Sequence, residues 1–498
     1  MTSKENSVHV VFIGKSQFEA GWPYLGFDNE KKINETFNIL KEKYPTVNFT
    51  KSSMITSQDE KAVKLNQDFI QNSDACIFFT IGHLGDPKLI EYSLDVIRFK
   101  KIPMILANFI YMGDHSFLKI YTATKNENLP LIISSSENLE DFKPMIDILI
   151  NLLEMKGKRV LLYATDDPSV NWDTILKIQE PELERIVDIH PEFVQNIKAM
   201  KDEDAQFFTD HEGQDQAHKW RKNEALYGEI LQSVFKVKLI RENPEEVITY
   251  YDKVSDDEAS EIAQKWIEGA QKVIPTRNTI LNSAKLYLAF KQLLIDKDCD
   301  IFAPDCGTLL LTGRLPAFPC MGFFELVNDQ KYGVCESDMD CLITYLFGLS
   351  LINRPGFVAN HTFDTIRNQV TYLHCVCSNK PFGLDGASCN YDILYHGETA
   401  ILGASPRVEY PIGETLTSIK ISVFEKKIAI RTGKIVDNVI DEKACTTKVV
   451  VESNVPKILE NYDWETFGWH RVSFVGDWRE TFILGAKLLG LDVVEVDK

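Results

Sequence analysis

The sequence predicts two doubly wound α/β units, at about 1–165 and 166–352, followed by a β-rich unit over 353–498. Three observations carry this. Short apolar runs alternate with amphipathic helices through the first third, long helices fill the middle, and after Pro355 the texture changes to short β-like runs between turn residues.

In the first third, VHVVFI at 8–13, ACIFFTIG at 75–82, the apolar run 102–107 and RVLLYA at 159–164 are near-continuously apolar. That is the pattern of strands covered on both faces of a parallel sheet. The helices between them are predicted at 30–43, 58–71, 87–100 and 139–154. The loop after the first strand, Gly14-Lys15-Ser16-Gln17, has no G-x-G-x-x-G pattern and so does not point to a dinucleotide. The middle third is expected to carry helices at 183–201, 214–234, 256–269 and 276–296, a strand at 299–303 and a helix at 336–351. The last third reads as strands at 370–377, 399–402, 418–424, 427–432, 448–452 and 472–475, closed by a helix at 480–489 and a strand at 493–496.

Composition excludes several classes. The 498 residues include 73 acids against 54 bases, a formal charge of −19, which opposes the basic face a nucleic-acid partner needs. No apolar stretch approaches the roughly 20 residues of a membrane helix, and no partner membrane is expected. The start, Met1 to Ser7, is polar and lacks the basic and apolar regions of a secretory signal, so a cytoplasmic protein is expected. The ten cysteines are irregularly spaced and read as free buried thiols rather than a zinc site.

Chemistry concentrates in Cys335-Glu336-Ser337-Asp338-Met339-Asp340. Three carboxylates at a helix start can simply complement the helix dipole. Alternatively they form a hard-cation site, with Glu336 and Asp340 one turn apart on one face. Two histidines could complete such a site. His374 lies in an apolar strand pattern and reads first as a satisfied core residue, whereas His470, in Gly468-Trp469-His470-Arg471 ahead of a strand, reads as a pocket residue.

The segment 319–355 (PCMGFFELVNDQKYGVCESDMDCLITYLFGLSLINRP), VTYLHC at 370–375 and WHRVSFVGDWRETFILGAKLLGLDVVEV at 469–496 together resemble the L-fucose isomerase and L-arabinose isomerase family. The resemblance is strongest over 319–375 and 464–498. It implies two flavodoxin-like domains and a β-rich third, and a small-molecule sugar substrate, a pentose or 6-deoxyhexose. It also implies Mn²⁺ or another divalent cation held by a glutamate, an aspartate and a histidine, and a homo-oligomer, a trimer or hexamer. Glu336 and His470 fall on the family's glutamate and histidine. The aspartate position is occupied by Asn360, with His361 and Asp364 as the nearby candidates for a base.

Aldose–ketose isomerisation moves a proton between C1 and C2 through an ene-diol, with a divalent ion stabilising the developing oxyanion. An amide at 360 can offer a carbonyl oxygen to a metal but carries neither a proton nor a charge. Two readings follow: an isomerase with an altered acid–base pair, or a sugar-binding relative without turnover. An extracytoplasmic sugar receptor fits less well, because it leaves the third unit unexplained. The triplet Asn360-His361-Thr362 also reads as a plain loop.

Overall fold

The computed structural model describes residues 5–15, 23–82, 86–166, 195, 218–396, 403–441 and 443–498. The expected helix at 183–201, apart from Gln195, the start of that at 214–234, the strand at 399–402 and the loop 16–22 lie outside the described residues. The chain divides into two compact units, 1–154 with 480–493, and 155–479 with 494–498.

The first unit holds strands β1 (Asn6–Ile13), β2 (Val47–Lys51), β3 (Ala75–Thr80), β4 (Met104–Phe109) and β5 (Leu131–Ser136). All four pairings are parallel, in the order β2-β1-β3-β4-β5. This is the 2-1-3-4-5 order of a doubly wound sheet. β3 and β4 are buried at every residue, which is why they read as continuous apolar runs. The edge strands β2 and β5 are only partly buried and carry Asn, Thr and Ser; neither was anticipated. The helix Asn29–Lys43 is capped by Asp28, and Glu60–Gln71 by Asp59, each accepting from backbone N–H groups of the first turn.

The second unit contains a four-stranded parallel sheet, β6 (Arg159–Tyr163), β7 (Lys238–Glu242), β8 (Ile301–Pro304) and β9 (Tyr332–Gly333), ordered β7-β6-β8-β9. Its helices Asp256–Gly269 and Arg277–Asp296 match the expected spans and bury Trp266, Tyr287 and Phe290.

The unit also contains β10 (Phe357–Asp364), β11 (Gln369–His374), a separate hairpin of β12 (Tyr391–Tyr395) with β13 (Ala404–Val408), and then β14 (Thr415–Ser422), β15 (Lys427–Asn438), β16 (Thr447–Glu452), β17 (Arg471–Val475) and β18 (Asp492–Glu495). The pairing of β14 with β15 closes β14-β17-β10-β11-β16-β15 into a six-stranded antiparallel ring, with β18 added to β15. Closure leaves no free ladder among those six strands. The stretch 360–362 is therefore the middle of a strand and not a loop.

The helix Met339–Ile352 lies against β14 and β17. Gly348 permits the approach, since a Cβ there would sit 2.2 Å from the Phe474 ring. Thr344 Oγ1 also accepts from the Ile421 backbone N–H at 2.8 Å. This contact sets the segment before the helix beside the start of β17. Among the described residues, no helix is long and apolar enough to cross a membrane.

Candidate metal centre

The helix expected to begin at Glu336 begins at Met339. Glu336 and Ser337 precede it in the left-handed region, with φ of 57° and 47°. Neither is glycine, so each costs about 1–2 kcal/mol in backbone strain. The neighbours fix this turn. His218 Nε2 is 3.0 Å from the Glu336 carbonyl, Trp220 Nε1 donates to the Ser337 carbonyl at 3.0 Å, and the Glu336 N–H donates to Cys306 Sγ at 3.2 Å. The expectation that Glu336 and Asp340 share a helix face is thereby corrected. Asp340 lies within the helix, where its Oδ1 accepts from Tyr227 Oη at 2.8 Å, while the kink turns Glu336 toward two histidines.

Those histidines are His374, at the end of β11, and His470, just before β17. His470 Nε2 lies 3.6 Å from Glu336 Oε2, and His374 Nε2 lies 3.8 Å from Glu336 Oε1. The two imidazole centroids are 5.4 Å apart. His374 has no hydrogen-bond partner on either ring nitrogen and His470 has none on Nε2, although both rings are buried. Buried polar atoms normally find partners, so an unsatisfied set converging on one carboxylate is informative. Separations of this size are too long for hydrogen bonds. They match the spacing of donors that each lie about 2.1 Å from a shared ion. Burial, then the neighbouring His470, pushes His374 down to about 3, so the ring is neutral and able to ligate at neutral pH.

A buried relay orients His470. Its Nδ1 is 3.0 Å from Asp338 Oδ2. Asp338 also takes two bonds from Lys420 Nζ, at 2.8 and 2.7 Å, and accepts from the Cys341 N–H at 2.8 Å as the helix N-cap. Burial alone would raise the Asp338 carboxyl, but the Lys420 ammonium and His470 outweigh it and hold it well below the usual range. A carboxylate on Nδ1 fixes the tautomer that leaves Nε2 as an electron-pair donor. Asp338, Cys341 and His470 also have donor atoms within 4.8 Å of one another, but the Lys420 ammonium, 3.0 Å from Cys341 Sγ, already supplies the positive charge there. The other close set, Cys335, Glu336 and His374, is the one that faces the unsatisfied imidazoles. Cys335 Sγ itself contacts Cys306 Sγ at 3.1 Å.

Asn360 sits on β10 opposite Leu373, the residue before His374, and directly after Ala359, which pairs with Arg471. The strand thus runs between the two histidine-bearing segments, and Asn360 Oδ1 is buried without a hydrogen-bond partner. The register pairs Asn360 with Leu373, on the face opposite His374, so the expected place of Asn360 among the ligands is corrected. Asp364 is placed differently. It ends β10, about 13 Å along the strand from Asn360, where it accepts from the Ile366 and Arg367 N–H groups at 2.9 and 2.8 Å. It stabilises the β10–β11 turn, and a role as base does not fit that placement. His361, the other candidate, points to the opposite face of β10 from Asn360 and contacts Tyr462 Oη at 3.1 Å. Burial, followed by Arg431 and Arg471, holds its pKa well below the ordinary value.

The sequence pattern singled out Glu336, Asn360 and His470. It read His374 first as a core residue and gave Asp338 and Lys420 no part in orienting a histidine, since their contacts span 82 to 132 residues of chain. The ten thiols are all free, and all but Cys389 are buried. Neither a protein-family model nor a curated protein matches this chain.

Proposed function

We propose that this chain is a divalent-metal-dependent aldose–ketose isomerase of the L-fucose and L-arabinose isomerase type. In this reading, two flavodoxin-like domains, at 1–165 and 166–352, precede a β-rich domain at 353–498. The observation that carries the reading is the approach of His374 and His470, from separate segments, to the two carboxylate oxygens of Glu336, through a strained turn that neighbouring residues hold in place.

The donor set fits a first-row divalent ion, with Mn²⁺ the expected one: one carboxylate and two imidazoles. When bound, such an ion acts as a Lewis acid toward adjacent sugar oxygens and stabilises an ene-diolate. The chain's own residues do the rest. Asp338, clamped by Lys420, holds His470 in its ligating tautomer. Glu336 is the acid we assign to proton transfer between C1 and C2; Asp338 pairs with Lys420 and Asp364 accepts from its turn.

The substrate class under this reading is a pentose or 6-deoxyhexose, and the assembly a cytoplasmic homo-oligomer, a trimer or hexamer. The test is to load the purified protein with Mn²⁺, measure metal content, and follow a panel of aldoses by NMR. Ketose formation that disappears on chelation is expected. A metal-loaded protein that converts no sugar would overturn the isomerase reading. The second reading, a sugar-binding relative without turnover, is favoured by Asn360 alone and predicts ligand-induced thermal shifts with no ketose.

A further inference from the structure

The six-stranded ring holds two arginines that the metal centre does not use. Arg431 on β15 and Arg471 on β17 are 2% and 3% exposed. Arg431 Nε donates to Tyr372 Oη on β11 at 2.7 Å, and its guanidinium carbon lies 5.8 Å from the Phe363 ring on β10. β10 and β15 stand on opposite sides of the ring, three strands apart in either direction. A side chain that joins them therefore crosses the interior. The register puts further groups on the same face: His361 opposite Tyr372, and Ser418 opposite both Arg431 and Ser473. Arg471 lies two residues before Ser473 and so faces the same way. Its Nη1 donates to the carbonyls of Phe467, Gly468 and His470 at 3.1, 3.0 and 2.7 Å.

Donors are left over. Arg431 Nη2 and Arg471 Nε are buried with no hydrogen-bond partner. Among the described residues, no carboxylate pairs with either guanidinium; their contacts are the phenol, the carbonyls and aromatic faces. Lys420 in the same ring shows the contrast, for its ammonium is matched by Asp338. A guanidinium cannot shed its proton to escape burial, as a lysine can. Two fixed charges in one interior, with spare donors and no counter-charge, form an arrangement that an oxyanion completes.

We propose that Arg431 and Arg471 form an oxyanion-binding site inside the ring, so that the ligand is an open-chain sugar carrying a carboxylate or phosphate group rather than a neutral sugar. Arg471 directly follows His470, so one short segment contributes both a donor to the metal centre and a cation to the oxyanion site. The sugar part of this inference rests on the isomerase reading; the oxyanion site does not.

The full chain, without added metal, is titrated calorimetrically with inorganic phosphate, with a hexuronate and with neutral glucose. Binding of at least one oxyanion but not of glucose is expected. Arg431→Met should weaken that binding at least tenfold, and Arg431→Lys should fall between Met and the unaltered protein. Ligand-free Arg431→Met should melt no lower than the unaltered protein, because it removes an uncompensated charge. Failure of both oxyanions to bind, or binding unchanged in Arg431→Met, overturns the site, as does a lower melting temperature with binding unchanged. In a second arm, the Mn²⁺-loaded protein is offered an aldose 6-phosphate, a hexuronate and the neutral aldose. At least a tenfold preference in kcat/KM for one charged substrate is expected, and shows which source of the oxyanion the site takes. Equal turnover of the neutral aldose overturns the substrate assignment and leaves the isomerase reading intact. Oxyanion binding with no turnover of any sugar leaves the site intact and overturns the isomerase reading.

Discussion

Asp338 Oδ2 lies 3.0 Å from His470 Nδ1, and the opposite nitrogen of that imidazole faces Glu336 Oε2 at 3.6 Å. One carboxylate thus aims a ring at another carboxylate, and a third group, Lys420, fixes the first. Asp338→Asn should lower divalent-metal affinity by about 10–100-fold, the usual effect of losing an outer partner of a ligating histidine. It should also destabilise the fold, because Lys420 is left buried without a counter-charge, by about 3–5 kcal/mol. Chelator competition and urea denaturation read the two effects separately. A metal affinity unchanged in a folded variant would dismiss the positioning role.

The ligand set makes a graded prediction. Glu336→Gln, His374→Ala and His470→Ala should each abolish the rise in melting temperature that Mn²⁺ produces. Asp364→Ala should leave that rise intact, because Asp364 is engaged in its turn. In the unaltered protein the stabilisation should follow RT ln(1 + [L]/Kd), about 2.7 kcal/mol at a hundredfold excess over Kd. Chelation should reverse it.

Asn360→Asp restores a charge to a strand position whose amide oxygen has no hydrogen-bond partner. Metal affinity should not change measurably, because the register turns that side chain to the face opposite His374. A rise in metal affinity, with faster isomerisation, would show instead that position 360 reaches the ion.

The turn at Glu336 should trade stability against binding. With φ at 57°, Glu336→Gly relieves the left-handed strain and should stabilise the metal-free protein by about 1 kcal/mol while eliminating metal binding. Denaturation of the metal-free forms checks the sign. A destabilised glycine variant would mean that the Glu336 side chain contributes more to packing than its backbone costs.

Asp340 supplies a pH dependence. Burial raises its pKa to about 6, despite the opposing Lys420, whereas an unfolded aspartate titrates at 3.8. Between those values the folded chain binds the extra proton, so the contribution of Asp340 to stability is full below pH 3.8 and is lost as pH rises through 6. Asp340→Asn keeps an acceptor for Tyr227 and removes the titration. Its stability relative to the unaltered protein should therefore rise between pH 4 and 7.5, by roughly 2–3 kcal/mol. A difference constant across that range would contradict the assignment.

What could be read from the chain alone follows burial. ACIFFT at β3 and the fully covered β4 were legible because both faces exclude water, so every residue is apolar. β2 and β5 were not, because an edge strand tolerates Asn, Thr and Ser. β10 was missed for a different reason. Its Asn360-His361-Thr362 centre looks like a loop, yet the ring places His361 beside other polar groups in its interior, where an apolar alternation is not required. At the candidate centre, Glu336 and His470 were legible from the residue types around them. His374 was ambiguous because an apolar strand face surrounds core and ligating histidines alike. The Lys420–Asp338 clamp left no local trace, since its partners meet only when the ring and the helix pack.

The path of the last forty residues has a practical consequence. The chain leaves β17, contributes 480–493 to the first unit, and returns to add β18 to β15 in the second. Expressing 1–154 alone would omit a helix, and stopping at residue 478 would strip both bodies at once. Any attempt to isolate one half for study should instead graft the tail segment by circular permutation, or retain the molecule whole.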